Sequence, residues 1–97
     1  MTLEELRKYK PQIQALARQY RIDPDSIRVF GSVVRGEADA DSDVDLLVKT
    51  LPKCGLFRLG GFYGGIKRLL NREVDVVTEG SLSPYIGPVI LKSAKPL

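Results

Sequence analysis

Two aspartates, Asp43 and Asp45, lie on either side of Val44 at the start of a short apolar stretch. Because side chains alternate between the two faces of a β-strand, a strand here directs both carboxylates to one face and Val44, Leu46 and Val48 to the other. The strand rise separates the two aspartates by roughly 6.5 Å, so both carboxylates can reach one cation. Aspartate is disfavoured in strands and seldom buried without a partner. Metal binding is the favoured explanation, and two surface aspartates in a turn are the alternative.

Asp75 repeats this pattern between two valines in a third apolar stretch. If the two stretches form neighbouring strands, Asp75 joins Asp43 and Asp45 in a cluster of three carboxylates. Hard oxygen ligands of this kind suit Mg²⁺, which takes a few carboxylates together with water and substrate phosphates. Two such ions roughly 3.5–4 Å apart can clamp the attacking and leaving oxygens of a phosphoryl transfer. A solvent-facing or ion-paired aspartate on an edge strand is the alternative for Asp75.

Gly31 and Ser32 supply a complementary anion site. Glycine permits a tight exit from the preceding strand, and serine caps the turn or short helix that follows. The free backbone N–H groups there attract anions such as phosphate. Arg35, one helical turn further on, either reaches the same phosphates or forms a salt bridge with Glu37 or Asp43. The sequence therefore predicts phosphate donors and metal-binding carboxylates side by side.

The composition limits the chemistry to carboxylates and hydroxyls. Histidine is absent and cysteine occurs once, as Cys54, which excludes a Ser-His-Asp triad, a Cys-His pair, an ordinary Cys/His zinc site and an internal disulfide. The net charge of +3 suits an anionic ligand, but the basic residues are scattered, so direct nucleic-acid binding is not expected. An acidic N-terminus, no long apolar run and a single cysteine predict a cytoplasmic protein without a membrane span.

The apolar pattern predicts the elements that must position these residues. A chain of 97 residues is expected to form a single domain, 1–97, with one small core. Helical periodicity over residues 2–20 is interrupted at Pro11, which predicts either a kink or two short helices. A last short helix is expected within residues 83–92. The predicted strands cover residues 27–30, 44–48 and 74–77. This order predicts an α+β fold, a small mixed β-sheet with helices packed on it.

Five glycines interrupt the helical stripe between the second and third predicted strands, at positions 55, 60, 61, 64 and 65. Each disfavours a helix by roughly 1 kcal/mol relative to alanine. The prediction is therefore a loop over residues 55–65 and a helix at the basic end, residues 66–71. The large apolar side chains of this stripe and of the final segment exceed what one small sheet covers. An exposed interface is expected in residues 56–70 or 83–92.

Gly31-Ser32, ten further residues and Asp43-x-Asp45 together resemble the signature of the DNA polymerase β-type nucleotidyltransferases. The longer run around them, Gly-Ser-x-x-Arg-Gly-Glu-Ala followed by Ser-Asp-x-Asp-Leu-Leu-Val, is similar to the minimal, MNT-type branch of that superfamily. The similarity covers about residues 12–94. It implies a polymerase-β-like nucleotidyltransferase fold.

The resemblance also implies functions for the singled-out residues. Gly31 and Ser32 would bind the donor triphosphate, and the metals would be held by Asp43, Asp45 and Asp75. Of these three, Asp75 is our candidate for receiving the proton of the acceptor hydroxyl. The cofactors implied are Mg²⁺, as two ions or with Mn²⁺ in its place, and the nucleotide substrate implied is ATP.

Members of this branch are typically antitoxins encoded beside HEPN-domain ribonuclease toxins. The implied function is an enzyme that transfers AMP from Mg-ATP to a hydroxyl of such a toxin, either a tyrosine side chain or a previously attached AMP. Two alternatives stay open: an antitoxin that neutralises its toxin by occlusion without catalysis, and a nucleotidyltransferase for a small molecule of the aminoglycoside type. The sequence also leaves open whether the chain forms a homodimer or a hetero-oligomer.

Overall fold

The computed structural model describes residues 1–39 and 42–97, which form a four-stranded mixed sheet with helices packed on it. The helices are α1 (Leu3–Arg7), α2 (Lys10–Gln19), α3 (Ser32–Arg35), α4 (Gly55–Leu70) and α5 (Gly87–Ser93). The strands are β1 (Arg28–Phe30), β2 (Val44–Val48), β3 (Val74–Thr78) and β4 (Lys95–Pro96). A short 3-10 helix, Glu79–Ser81, follows β3. The predicted α+β architecture is confirmed.

The strands lie in the order β3-β2-β1-β4. β1 runs antiparallel to both of its neighbours, whereas β2 and β3 are parallel. Parallel strands need a crossover connection, which α4 supplies between β2 and β3. The two-residue strand β4 was not expected from the sequence. It is extended by a backbone hydrogen bond from Leu97 N–H to the Ile27 carbonyl oxygen (3.0 Å), and the Leu97 side chain is buried.

The N-terminal segment forms two short helices rather than one kinked helix. The Thr2 hydroxyl oxygen accepts a hydrogen bond from the Glu5 N–H (3.1 Å), as the spacing of a capping box predicts. Pro11 lies in the first turn of α2. Proline is tolerated there because the N–H that it lacks would have no intrahelical partner. The interruption at Pro11 therefore separates α1 from α2, which is one of the two predicted outcomes.

The loop expected over residues 55–65 is wrong, because α4 runs without a break from Gly55 to Leu70. Gly61 and Gly65 are the points of contact with other side chains. A Cβ at Gly61 would overlap with the Tyr20 ring, and one at Gly65 would lie 2.9 Å from Leu16 Cδ2. Two of the helix-disfavouring glycines therefore permit α4 to approach α2 closely.

Burial along α4 offsets the unfavourable helix propensity of its glycines. Phe62 and Ile66 are fully buried and Leu70 is nearly so. Burial of each large apolar side chain contributes about 1.5–3 kcal/mol, against roughly 1 kcal/mol lost at each glycine. Tertiary packing thus decides the conformation of this segment, which the local composition could not indicate.

The core lies between one face of the sheet and the helices α1, α2 and α4. Leu46 of β2 is fully buried there, together with Ile13 of α2 and Phe62 of α4. Leu47 lies on the opposite face of β2, the face of the aspartates, and is also fully buried. The alternation rule alone did not predict this burial. In the described ranges, 1–39 and 42–97, every helix is too short or too polar to cross a membrane.

Three boundaries differ from the sequence-based expectation. β1 begins at Arg28, β3 continues to Thr78, and the final helix occupies Gly87–Ser93. The segment before α5 contains Pro84, and the helix starts only where the Gly87 N–H bonds the Ser83 carbonyl oxygen (2.8 Å). None of these shifts changes which strand carries which aspartate.

Gly60→Ala and Gly61→Ala form a matched pair that tests the packing of α4. Gly60 is exposed with open space around its Cα, so alanine should stabilise the protein by roughly 0.5–1 kcal/mol through helix propensity. Gly61→Ala should destabilise it by about 1–3 kcal/mol because the new methyl group meets the Tyr20 ring. Chemical denaturation measures both free energies of unfolding. Stabilisation by both substitutions would contradict the close approach of α4 to α2.

Candidate active site

β1 ends in a turn that depends on glycine. Gly31 has φ 76° and ψ −150°, a conformation that is essentially restricted to glycine. α3 begins at the next residue, Ser32, and ends at Arg35, followed by Gly36 as its C-cap in the left-handed conformation. The Glu37 N–H closes this turn on the Ser32 carbonyl oxygen (3.0 Å). In the described part of the chain the Ser32 side chain forms no hydrogen bond, which leaves its hydroxyl available to a ligand.

The Gly31 backbone lies directly against the Asp45 carboxylate. The β1–β2 register pairs Phe30 with Asp45, so the residue after Phe30 leaves the sheet beside that side chain. A Cβ at Gly31 would overlap with Asp45 Oδ2. Glycine is therefore required here by both the backbone conformation and the neighbouring carboxylate. The first requirement is predictable from the sequence, whereas the second is not, because it depends on strand register.

The parallel register of β2 and β3 makes Asp45 and Asp75 direct neighbours across the two strands. Asp43 precedes β2 and is exposed. The Val44 N–H donates to the Glu73 carbonyl oxygen (3.1 Å), which fixes the start of β2 against the start of β3. The structure thus places Asp75 on β3 beside β2. β2 carries Asp45 and begins directly after Asp43.

Asp45 occupies an electrostatically unfavourable position. Its partial burial raises the pKa of the carboxyl group above its ordinary value, and the neighbouring charges of Asp75 and Asp43 raise it further. The Arg35 charge acts in the opposite direction and lowers this pKa, with the smallest effect of the four. An ionised Asp45 therefore has more negative than positive charge around it, which favours the approach of a cation.

These carboxylates fit magnesium, although they do not form a complete protein cage. Within residues 1–39 and 42–97, no group of three or more His, Cys, Asp or Glu side chains is gathered closely enough to hold a metal ion. The expected three-carboxylate cluster is therefore not gathered in this structure, although Asp75 and Asp43 both act on Asp45 through their negative charge. Mg²⁺ is usually bound through one or two carboxylates, with waters and substrate phosphates completing its shell. The Asp45–Asp75 pair satisfies that smaller requirement.

Arg35 forms an ion pair with Glu37, with Nε 3.0 Å from the Glu37 carboxylate oxygen. Both side chains are more than half exposed, so the pair contributes little to stability. Of the two possibilities for Arg35, the structure contains the salt bridge to Glu37. Because the pair is exposed and weak, Arg35 is free to exchange Glu37 for a phosphate.

A family model described as a nucleotidyltransferase domain matches residues 4–97. The protein adenylyltransferase MntA of Thermococcus cleftensis is 36% identical over 92 residues, which cover 95% of this chain and 92% of that protein. A solved minimal nucleotidyltransferase has 37% identity and a TM-score of 0.84, covering 100% of this chain and 97% of its own. An MNT antitoxin solved in complex with the tri-AMPylated HEPN toxin of Shewanella oneidensis has 18% identity and a TM-score of 0.67, covering 93% and 69%. At that identity the last comparison shows the fold alone.

Gly31→Ala and Gly36→Ala test the contact between Gly31 and Asp45. Both glycines have positive φ, but a Cβ at Gly36 would meet nothing within 4 Å. Gly36→Ala should cost about 1–2 kcal/mol of stability through backbone strain alone. Gly31→Ala should cost at least about 1 kcal/mol more, because its backbone conformation is less accessible to alanine and the new methyl group overlaps with Asp45; an Asp45→Ala background should remove the part of the excess that comes from the overlap. Equal costs for the two glycines, measured by denaturant titration, would contradict the contact.

Proposed function

This chain belongs to the nucleotidyltransferase domain family and is an enzyme of that class, and we propose that it transfers AMP from Mg-ATP to a hydroxyl of a partner HEPN-type toxin. The observation that supports this most strongly is the group formed by Gly31, Asp45 and Asp75. Asp45 lies against the turn that begins at Gly31 and is the cross-strand neighbour of Asp75. The backbone that would bind phosphate and the carboxylates that would hold the metal are thereby adjacent, which supports nucleotidyl transfer.

Donor binding is assigned to the turn between β1 and α3. The backbone N–H groups and the hydroxyl of Ser32 would hold phosphate oxygens of ATP, and the absence of a side chain at Gly31 would let the triphosphate approach Asp45. Arg35 would exchange its contact with Glu37 for a phosphate. Asp43, Asp45 and Asp75 would hold Mg²⁺ together with the nucleotide. The bound ion would neutralise the charge that develops on the phosphates during transfer.

The reaction needs little covalent chemistry from the protein. The acceptor hydroxyl oxygen forms a bond to the α-phosphorus of ATP, while the bond from that phosphorus to the bridging oxygen breaks and pyrophosphate leaves. The hydroxyl proton passes to the Asp75 carboxylate, which is exposed and therefore accessible to an acceptor. Positioning of the two reactants accounts for most of the acceleration in this account.

The acceptor proposal is supported by what similar proteins are named for. One relative is named a protein adenylyltransferase, and one structural neighbour is an antitoxin bound to a tri-AMPylated HEPN toxin. We propose the corresponding role here, with a tyrosine hydroxyl or a previously attached AMP as the acceptor. The chain would then act as the antitoxin of its partner.

The surface available to a partner lies around α5 and at the start of α4. Tyr85 is 87% exposed, and Ile86 and Val89 are more than half exposed. Leu56 and Phe57, at the beginning of α4, are almost fully exposed. Clustered exposed apolar residues usually mark an interface. We call residues 85–91 the α5 surface and propose it as the contact with the toxin.

Of the rest of the apolar stripe on α4, Tyr63 stays 37% exposed, whereas the other members do not contribute to an exposed surface. Phe62 and Ile66 are fully buried, and Leu59 and Leu69 are half-buried against the core. The apolar pattern of the sequence predicted an interface that included these residues. Because α4 forms a complete helix over the sheet, they belong to the core instead.

Three aspartate variants test the proposed transfer. With Mg-ATP and the protein encoded by the adjacent gene, the wild-type chain should add AMP units to that protein, measured by intact-mass spectrometry. Asp45→Asn should abolish both the transfer and the rise in melting temperature produced by Mg-ATP. Asp75→Asn should keep most of that rise and lose transfer at least 100-fold, because it removes a general base. Asp25→Asn, an exposed acid outside the site, is the control and should match wild type.

If Mg-ATP still stabilises Asp45→Asn as much as the wild type, the assignment of this group as the Mg-ATP site is wrong. Neutralisation of the toxin by all four proteins alike would instead favour occlusion without catalysis.

Hydrogen exchange tests the proposed interface. On adding the partner, backbone amides in residues 85–91 should exchange at least tenfold more slowly, because burial of the α5 surface suppresses local opening. Val89→Asp should weaken the complex, whereas Lys92→Gln, which lowers the net charge by the same one unit on the same short helix, is the matched control. Protection confined to α1 and α2 would show that the partner binds elsewhere.

A further inference from the structure

A cavity of about 390 Å³ lies at the C-terminal end of α4. It is lined by Lys67, Arg68, Asn71, Arg72 and Glu73. Three of these five residues are cationic and one is anionic, so the cavity has a net positive charge. The proposed function uses none of them. A cavity of this charge is suited to an anion.

Arg72 is the residue that the fold itself does not explain. Its Nε and Nη1 atoms are buried and have no hydrogen-bond partner within residues 1–39 and 42–97. Buried donors without an acceptor cost free energy, and more so when the group is charged. The planar guanidinium matches the oxygens of a phosphate group, which it can bind through two parallel hydrogen bonds. Both atoms are shielded from solvent in this conformation, so an anion in the cavity that Arg72 lines would satisfy them if the guanidinium turned towards it.

The two other cations have partial structural explanations. Lys67 Nζ lies 3.1 Å from Glu73 Oε1, and this contact raises the pKa of Lys67, which keeps its charge. Both Lys67 and Arg68 lie in the last turn of α4, where positive charge is favourable. Arg68 extends back along the helix, since a Cβ at Gly64 would lie 3.3 Å from its guanidinium. These contacts explain the positions of Lys67 and Arg68, but they do not explain the unpaired donors of Arg72.

The cavity adjoins the strands that carry the proposed site. The Glu73 carbonyl oxygen accepts the hydrogen bond from Val44, the residue between Asp43 and Asp45. Asp75 follows Glu73 by two residues on the same chain segment. A ligand in the cavity would therefore lie next to the start of β2 and β3, but on residues distinct from the turn at Gly31.

We propose that this cavity is a second phosphate-binding site, which takes the phosphate ester of a nucleotide and binds it chiefly through Arg72. The choice of a nucleotide as the ligand rests on the proposed function. Two sources share this chemistry: an AMP unit already attached to the acceptor, and a free nucleotide. In the first case the site holds the modified acceptor while the next AMP is added.

AMP titration followed by backbone amide NMR tests the cavity directly, with Arg72→Met compared with Arg18→Met. Arg18 is an exposed arginine in the last turn of α2 and provides the same change outside the cavity. In wild type and Arg18→Met, AMP should give saturable shifts in residues 67–73. Arg72→Met should weaken that binding at least tenfold, while residues 31–35 report on the donor site in the same spectra.

Without nucleotide, Arg72→Met should melt at the same temperature as the wild type or at a higher one, because methionine removes the unpaired donors. Absence of shifts in residues 67–73 of wild type, or unchanged affinity in Arg72→Met, overturns the proposal. If Arg72→Met does not fold, Arg68→Gln, which changes an exposed residue, is expected to weaken the same titration. Unchanged affinity in Arg68→Gln then overturns it.

Transfer assays distinguish the two sources of the phosphate. Loss of the second and later AMP additions by Arg72→Met, with the first addition retained, assigns the cavity to attached AMP. Unchanged later additions assign it to a free nucleotide. If the wild-type chain transfers no AMP to any acceptor, the proposed function fails, whereas the AMP titration still tests the cavity by itself.

Discussion

The contact between the Gly31 backbone and the Asp45 carboxylate is the constraint on which the rest of the site depends. It goes together with the register of β1 and β2, in which Phe30 pairs with Asp45 and the chain leaves the sheet directly beside that carboxylate. It also requires glycine, in a backbone conformation that other residues do not adopt at acceptable cost. The parallel pairing of β2 with β3 then brings Asp75 beside Asp45. One close approach thus determines where phosphate donors and carboxylates meet.

The pairing of β2 with β3 concentrates negative charge at Asp45, in a protein with a net charge of +3. Burial and two neighbouring aspartates raise the pKa of Asp45, so its ionised form is unfavourable in the folded chain. Protonation of Asp45 therefore favours folding, and this contribution to stability is lost as the pH rises through the folded-state pKa of Asp45. A bound cation would instead favour the ionised form of Asp45 in the folded chain. If the proposed function is right, stability is given up at this site for ligand binding, as is common in enzymes.

Prediction from the sequence succeeded where local pattern decides the outcome. The alternation of Asp43, Val44 and Asp45 predicted β2, and the Pro11 interruption predicted two helices as one of its outcomes. It failed at α4. The glycines there predicted a loop, whereas the contact of Gly61 with Tyr20 shows that they permit close packing of a helix.

Long-range geometry accounts for the other differences at the site. The two-residue strand β4 has no local signal, since proline and lysine do not favour a strand. The unpaired donors of Arg72 could not be predicted either, because nothing in the sequence indicates which arginine lacks an acceptor. Likewise, spacing alone suggested a cluster of three carboxylates, whereas the register of β2 and β3 forms a pair, Asp45 with Asp75.

The central claim is that the group around Gly31 and Asp45 transfers a nucleotidyl group from ATP rather than a terminal phosphate. The most direct measurement uses ATP labelled in either the α- or the γ-phosphate, with Mg²⁺ and the protein encoded by the adjacent gene. The account predicts that the α-label becomes covalently attached to that protein, that the γ-label leaves as pyrophosphate, and that Asp45→Asn abolishes both. Attachment of the γ-label, or α-labelling that persists in Asp45→Asn, would contradict it.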